Sequence, residues 1–291
     1  MEKIQNLTGH SGCSISIYKD GLNFFIRKKS GTINYNYRLR QQCLKQKQFF
    51  LKICEFNARN DVRIGFFTPK IYRDGVEKGL YFFDMEYLNG NTLARKVQDA
   101  DQCLMKAIAK TLCNLFLELK NESEIAKDTQ TIFERKIRDL KLQMGDAEKF
   151  ITPALDRLLM VDYSSVPQSF CLGDLSLENV LVDNDRLYFI DLLDSFFNSY
   201  LLDISKLLMD IECGWSLRNE NLSIEAQIRL SIFRKIIIEN LGDIISSTDV
   251  DMLNNLQTLH AIRIMPYTKD INSKLLLIKY ITQKENYKCV L

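Results

Sequence analysis

The stretch CLGDLSLENVLVDNDRLYFID, residues 171–191, decides how the rest of the chain is read. It sets Asp174, Asn179 and Asp191 on a short loop and a hairpin, with apolar runs packed around them. Asp and Asn favour turns because their side chains bond nearby backbone, so each alone reads as an ordinary turn residue. Jointly they are oxygen donors of the type hard divalent cations take. The spacing predicts Asp174 and Asn179 at opposite ends of a tight loop. The hairpin then returns the chain so that Asp191 faces them. Phosphoryl transfer asks a protein for little more than this: a positioned nucleophile, metal bridging the phosphates, and positive charge on their oxygens.

The remainder must supply a body for such a site. The chain has 291 residues, 46% apolar and 26% charged, as an ordinary globular protein has. That length suits one large domain or two lobes around a shared cleft. A formal net charge of +2 argues against a dedicated nucleic-acid binder. The 8 cysteines are scattered without a CxxC pair, and only His10 and His260 could join them. This argues for reduced core thiols and against a His/Cys metal site. The start, MEKIQNLTGHSGCS, lacks a signal-peptide apolar run, and no segment has the length of a membrane span. The expectation is a soluble cytoplasmic protein.

The first 90 or so residues read mostly as strands. SISIYK and LNFFIRKK flank Asp20-Gly21, a hairpin signal. NYNYRLRQQCLKQKQFFLKICEF reads as a helix with Tyr37, Cys43, Leu44, Phe50 and Leu51 on one side, followed by strands FFTPKIYRDG and GLYFFDMEYLNG. After Asn91 the pattern turns helical, as in the spacing of Leu104, Ile108, Leu112, Leu115 and Phe116. The fold class expected is α+β, a small antiparallel-sheet lobe over residues 1–88 and a large helical lobe over 89–291.

On GDLSLENVLV followed by YFID, the chain resembles the aminoglycoside phosphotransferase/choline kinase superfamily, the small-molecule branch of the protein-kinase-like fold. The resemblance implies a bilobal kinase using ATP and Mg2+. Carried over by position, Asp174 orients and deprotonates the acceptor hydroxyl, Asn179 and Asp191 hold the metal, and Asp203 of LLDISKLL braces the catalytic loop through its N–H groups. Lys28 of FFIRKKS matches the lysine that grips the phosphates; Arg27 and Lys29, on the other side of the strand, read as solvated. GHSGCSISIYK sits where the family covers the phosphates, with Gly9, Ser11, Gly12 and Ser14 as donors. MEYLNGNTL resembles the adenine hinge near Glu86 and Leu88. The wording is most similar to bacterial phosphotransferases of sugar and surface-polysaccharide metabolism. The implied partner is a small acceptor, a sugar, sugar phosphate or amino alcohol, with no nucleic acid and no membrane span.

Two positions depart from that pattern. The loop histidine is Leu172, and the helix after Lys28 has no glutamate to fix the lysine, leaving Gln42 or Gln46 as neutral stand-ins. These departures keep a pseudokinase, a nucleotide-binding or scaffolding module without turnover, as the alternative function. Asp194 is an alternative metal ligand to Asp191. For the acceptor pocket, Trp215 reads either as a stacking surface, for a sugar face or a quaternary ammonium, or as core. Arg218 and Arg263 read either as anion-binding or as ordinary solvated or helix-pairing arginines. Cys171 and Cys213 read as core thiols.

Overall fold

In the computed structural model, residues 2–7, 12–59, 64–144, 148–183 and 186–288 are described. Gly9 and Ser11, expected at the phosphate loop, lie outside them. Packing divides the chain into two compact units, Met1–Leu93 with Asn179–Asp194, and Ala94–Glu178 with Ser195–Leu291.

The first unit contains β1 (Glu2–Leu7), β2 (Cys13–Asp20), β3 (Asn23–Ser30), α1 (Asn36–Arg59), β4 (Gly65–Phe67), β5 (Ile71–Glu77), β6 (Leu80–Glu86) and β7 (Asn91–Thr92). The order along its five-stranded antiparallel sheet is β1-β2-β3-β6-β5. β2 and β3 meet at a two-residue loop, Gly21-Leu22, because Asp20 pairs with Asn23. The expected strand FFTPKIYRDG is two strands in two sheets: β4 leaves at Phe67, and β5 begins after Pro69, which has no N–H for a ladder.

One face of this sheet packs on α1 through Ile17, Ile26, Tyr81, Phe83, Met85, Leu39 and Cys43. The stripe α1 buries is Leu39, Cys43, Phe49, Ile53 and Phe56, whereas Tyr37, Leu44 and Leu51 are exposed. The face expected from sequence is therefore corrected. Its cause is the polar residues Gln42, Lys45 and Gln46, which are buried and hid the true periodicity.

The opposite face also departs from expectation. Arg27 is buried, with Nε and Nη2 donating to Asp84 at 2.6 and 2.8 Å. Its guanidinium lies 4.2 Å from the Phe82 ring centroid and 5.1 Å from that of Tyr18. Strand pairing sets Arg27 directly opposite Asp84, which also accepts from Arg73 at 2.7 Å. Lys29 reaches Glu77 at 2.6 Å.

The second unit is helical: α2 (Leu93–Asp99), α3 (Gln102–Asn121), α4 (Thr129–Gln143), α5 (Glu148–Leu159), α6 (Tyr200–Cys213), α7 (Ile224–Leu241), α8 (Ser247–Ile264) and α9 (Ile271–Lys288). The hairpin β8 (Val180–Asp183) and β9 (Arg186–Phe189) belongs to the first unit, where it forms a second sheet in the order β4-β9-β8-β7. Within the second unit α6 is sheathed almost entirely, every residue from Tyr200 to Ile211 being buried. Ser199 caps its start by accepting from Leu201 N–H, and Gly214 ends it in the left-handed conformation. No described helix is long and apolar enough to cross a membrane. None of the seven described cysteines is in a disulfide.

Removing Asp84 strands the buried Arg27 charge, so Asp84→Ala is expected to cost about 3–5 kcal/mol. Urea denaturation of the variant against the parent measures it.

Candidate active site

The centre of the second unit holds the loop that carries Asp174. Gly173 there has φ 86°, a left-handed conformation that glycine adopts without strain. Asp203, one turn into α6 and 1% exposed, accepts from Leu172 N–H at 2.6 Å and Gly173 N–H at 3.0 Å. Leu172 is itself buried, so an apolar side chain packs where the family pattern has histidine.

Two residues of α6 that sequence reasoning missed complete the bracing. Asp210 accepts from Leu177 N–H, from Ser216 N–H at 2.7 Å and from Ser216 Oγ at 2.6 Å. Burial raises its carboxyl above the usual range against the pull of those donors and of Lys206. Lys206 Nζ lies 2.9 Å from Asp174 Oδ1. Positions 203, 206 and 210 share one helical face. The signal was present: three charged residues at that spacing in the otherwise apolar YLLDISKLLMDI cannot all be solvated if the helix is buried.

Of the three acceptor-pocket candidates, two are engaged with each other. Trp215 is 7% exposed, and the Arg218 guanidinium sits 4.3 Å over its ring. Arg218 Nη1 donates to the Trp215 carbonyl at 2.8 Å and to Glu178 at 3.3 Å. Burial raises the Glu178 carboxyl, and Arg218 opposes that rise. Arg263 is placed otherwise, with its guanidinium 4.8 Å from the Phe196 ring centroid and Nη1 3.3 Å from His260 Nδ1. His260 Nε2 is 2.9 Å from the Leu202 carbonyl. A carbonyl only accepts, so Nε2 carries the ring hydrogen and Nδ1 is the acceptor for Arg263.

In the first unit, Lys28 is buried on the α1 side of β3, and its Nζ donates to Asp191 Oδ1 at 2.7 Å. Burial alone would lower the lysine; the charge and hydrogen bond of Asp191 raise it above its ordinary value. Neither glutamine stand-in touches Lys28. Gln46 donates to the Pro69 carbonyl at 2.7 Å, and Gln42 reaches Tyr35 Oη at 3.4 Å. The lysine is thus oriented from the hairpin rather than from the helix.

Asp191 follows β9 with φ 56°, rare for a residue with a side chain. The Asn179 carbonyl accepts from Ile190 N–H at 3.0 Å, which closes the base of the hairpin and sets Asn179 and Asp191 at its adjoining ends. Asp194 is exposed. Asn179 and Asp191 put an amide and a carboxylate residue at the adjoining ends of the hairpin, and no group of three His, Cys, Asp or Glu suited to a metal occurs among the described residues. That donor set fits Mg2+, which binds through one or two protein oxygens and completes its shell with phosphates and water.

At the expected hinge, Glu86 N–H is taken by the Lys70 carbonyl at 2.9 Å. Leu88, just beyond β6, makes no backbone hydrogen bond among the described residues. Gly12 accepts from Gly31 N–H at 2.8 Å, and a Cβ on it would lie 2.7 Å from the Tyr35 ring. Ser14 is exposed, with Oγ 3.4 Å from the Lys29 carbonyl. Burial pushes the Cys113 and Cys213 thiols up to about 12, far from thiolate chemistry.

Residues 21–227 match the model of the phosphotransferase enzyme family. Among curated proteins no match was found. Solved structures of similar fold include the choline kinase of Cryptosporidium parvum Iowa II, 12% identical, with TM-score 0.58 over 99% of this chain and 90% of that one. The choline kinase LicA of Streptococcus pneumoniae is 17% identical, with TM-score 0.55 over 99% and 94%. The amicoumacin kinase hAmiN, solved with AMP-PNP and Ca2+, is 11% identical, with TM-score 0.62 over 97% and 88%.

Burial, then the positive charges of Arg263 and Lys206, hold His260 neutral to well below its ordinary value of 6.5. Below that value the unfolded chain binds a proton that the folded chain refuses. Stability is therefore expected to be full above about pH 6.5 and to fall as pH drops below it. Thermal melts across this range check the slope, and His260→Gln is expected to flatten it.

Proposed function

The chain belongs to the phosphotransferase enzyme family and is a small-molecule phosphotransferase of protein-kinase-like fold; on that premise we propose that it transfers the γ-phosphoryl group of ATP, with Mg2+, to a hydroxyl of a small acceptor such as a sugar or amino alcohol. The observation that carries this is the pair of buried Lys28 with half-buried Asp191 at 2.7 Å, with Asn179 at the same hairpin end. A buried ammonium beside two metal-type oxygens is the equipment a triphosphate needs.

In this reading the first unit binds the nucleotide. Lys28 donates to phosphate oxygens, the backbone of Glu86 and Leu88 faces adenine, and Gly12 and Ser14 belong to the phosphate-covering turn. Asn179 and Asp191 would hold the Mg2+. The chemistry that a bound Mg2+ would supply is positive charge against the phosphate oxygens.

Asp174 takes the proton from the acceptor hydroxyl. The freed oxygen lone pair forms the new O–P bond as the γ-phosphorus bond to the bridging oxygen breaks, and ADP leaves. Asp203 holds the backbone beneath Asp174, and Lys206 positions its carboxylate, which fixes the oxygen that faces the hydroxyl.

Asp174→Asn is expected to lower turnover about a hundredfold or more while nucleotide binding persists. Lys28→Met and Asp191→Ala are expected to weaken Mg·ATP binding in a thermal-shift titration. Turnover within about twofold of the parent in Asp174→Asn would remove Asp174 from its role.

A further inference from the structure

Among the described residues, Arg263 and Lys136 are cations without a carboxylate ion pair. Both are half-buried. Arg263 is fastened by groups that leave its charge intact: the Phe196 ring at 4.8 Å and the neutral Nδ1 of His260 at 3.3 Å. Phe196 packs edge-on against Phe133 of α4 at 5.0 Å, and Lys136 lies three residues beyond Phe133 on the same helical face. The two cations act on each other, since burial and then the Arg263 charge lower the Lys136 ammonium. Burial likewise lowers Arg263, and Asp174 pulls it back. The carboxylates that act on the pair are Asp174, already held by Lys206, and Asp139, which is exposed.

Two like charges kept together and partly desolvated cost stability unless an anion joins them. A guanidinium locked by a ring and a neutral imidazole is preorganised for that purpose. We propose that Arg263 and Lys136 form an anion subsite on the Asp174 side of the second unit, and that the acceptor of the phosphoryl group carries a phosphate or carboxylate. This rests on Asp174 being the base for the acceptor hydroxyl. It distinguishes the acceptor from choline and from amino sugars, whose positive charge this pair repels.

The experiment has two readouts. In the first, inorganic phosphate is titrated by thermal shift with Mg·AMP-PNP saturating, so that the nucleotide's own phosphates are already placed. Phosphate is expected to stabilise the parent and to lose that effect in Arg263→Gln and in Lys136→Gln. In the second, ATP consumption is compared for glucose, glucosamine, glucose 6-phosphate and glucuronate. An anionic hexose is expected to show a KM about tenfold below that of glucose, and Arg263→Gln to abolish the difference. The last two substrates separate phosphate from carboxylate. No phosphate shift in the parent, an equal shift in both variants, or preference for glucosamine or glucose overturns the subsite. Failure of Mg·AMP-PNP to bind the parent would instead overturn the kinase assignment, with the phosphate titration repeated alone still deciding the subsite.

Discussion

Everything in the second unit depends on α6 being buried along nearly its whole length while carrying three charges on one face. Desolvated carboxylates and ammonium groups are tolerated only when their bonding capacity is filled. Asp203 and Asp210 fill theirs with the N–H groups of the loop at Leu172, Gly173 and Leu177, and Lys206 fills its own with Asp174. The helix therefore cannot take its place without the loop, nor the loop its shape without the helix. That mutual requirement is how a loop, ordinarily the most mobile kind of element, holds a carboxylate in a fixed attitude.

The first unit solves a parallel problem with different parts. A buried lysine needs a partner, and α1 offers no acid. Asp191 provides one, at the price of a left-handed backbone beyond β9. The same strand places Arg27 on the other face, where Asp84 and two aromatic rings enclose it. Alternation along β3 thus sends one buried cation to each side of the sheet, Arg27 to Asp84 and Lys28 to Asp191.

The charges that remain unmatched are as informative as those that are paired. Arg218 is neutralised by Glu178 and covered by Trp215, which makes it part of the bracing around the loop. Arg263 is held just as firmly but by uncharged groups. Identical side chains, both flagged in the sequence, have opposite electrostatic standing because of what packs against them.

The local identities of this protein were legible in the chain itself. GDLSLEN, the apolar hairpin ending at Asp191, the alternating strands and the helical periodicity after Asn91 follow from turn chemistry and hydrophobic period, which act over a few residues. Asp203 came only from the family resemblance, as the aspartate of LLDISKLL, and its bonds to Leu172 and Gly173 N–H are tertiary. Tertiary structure alone decided which charges meet. Lys206 and Asp210 belong to a helix whose burial on all sides cannot be read from its own period. The stripe of α1 was misassigned because Gln42, Lys45 and Gln46 are buried, Lys45 and Gln46 with partners distant in sequence. The neutrality of His260 arises from its burial and from the charges of Arg263 and Lys206, and a carbonyl 58 positions away decides which ring nitrogen faces Arg263. Spacing along a chain specifies which groups share a face, whereas the dielectric and the counter-charge that a face meets are set by elements brought to it from elsewhere.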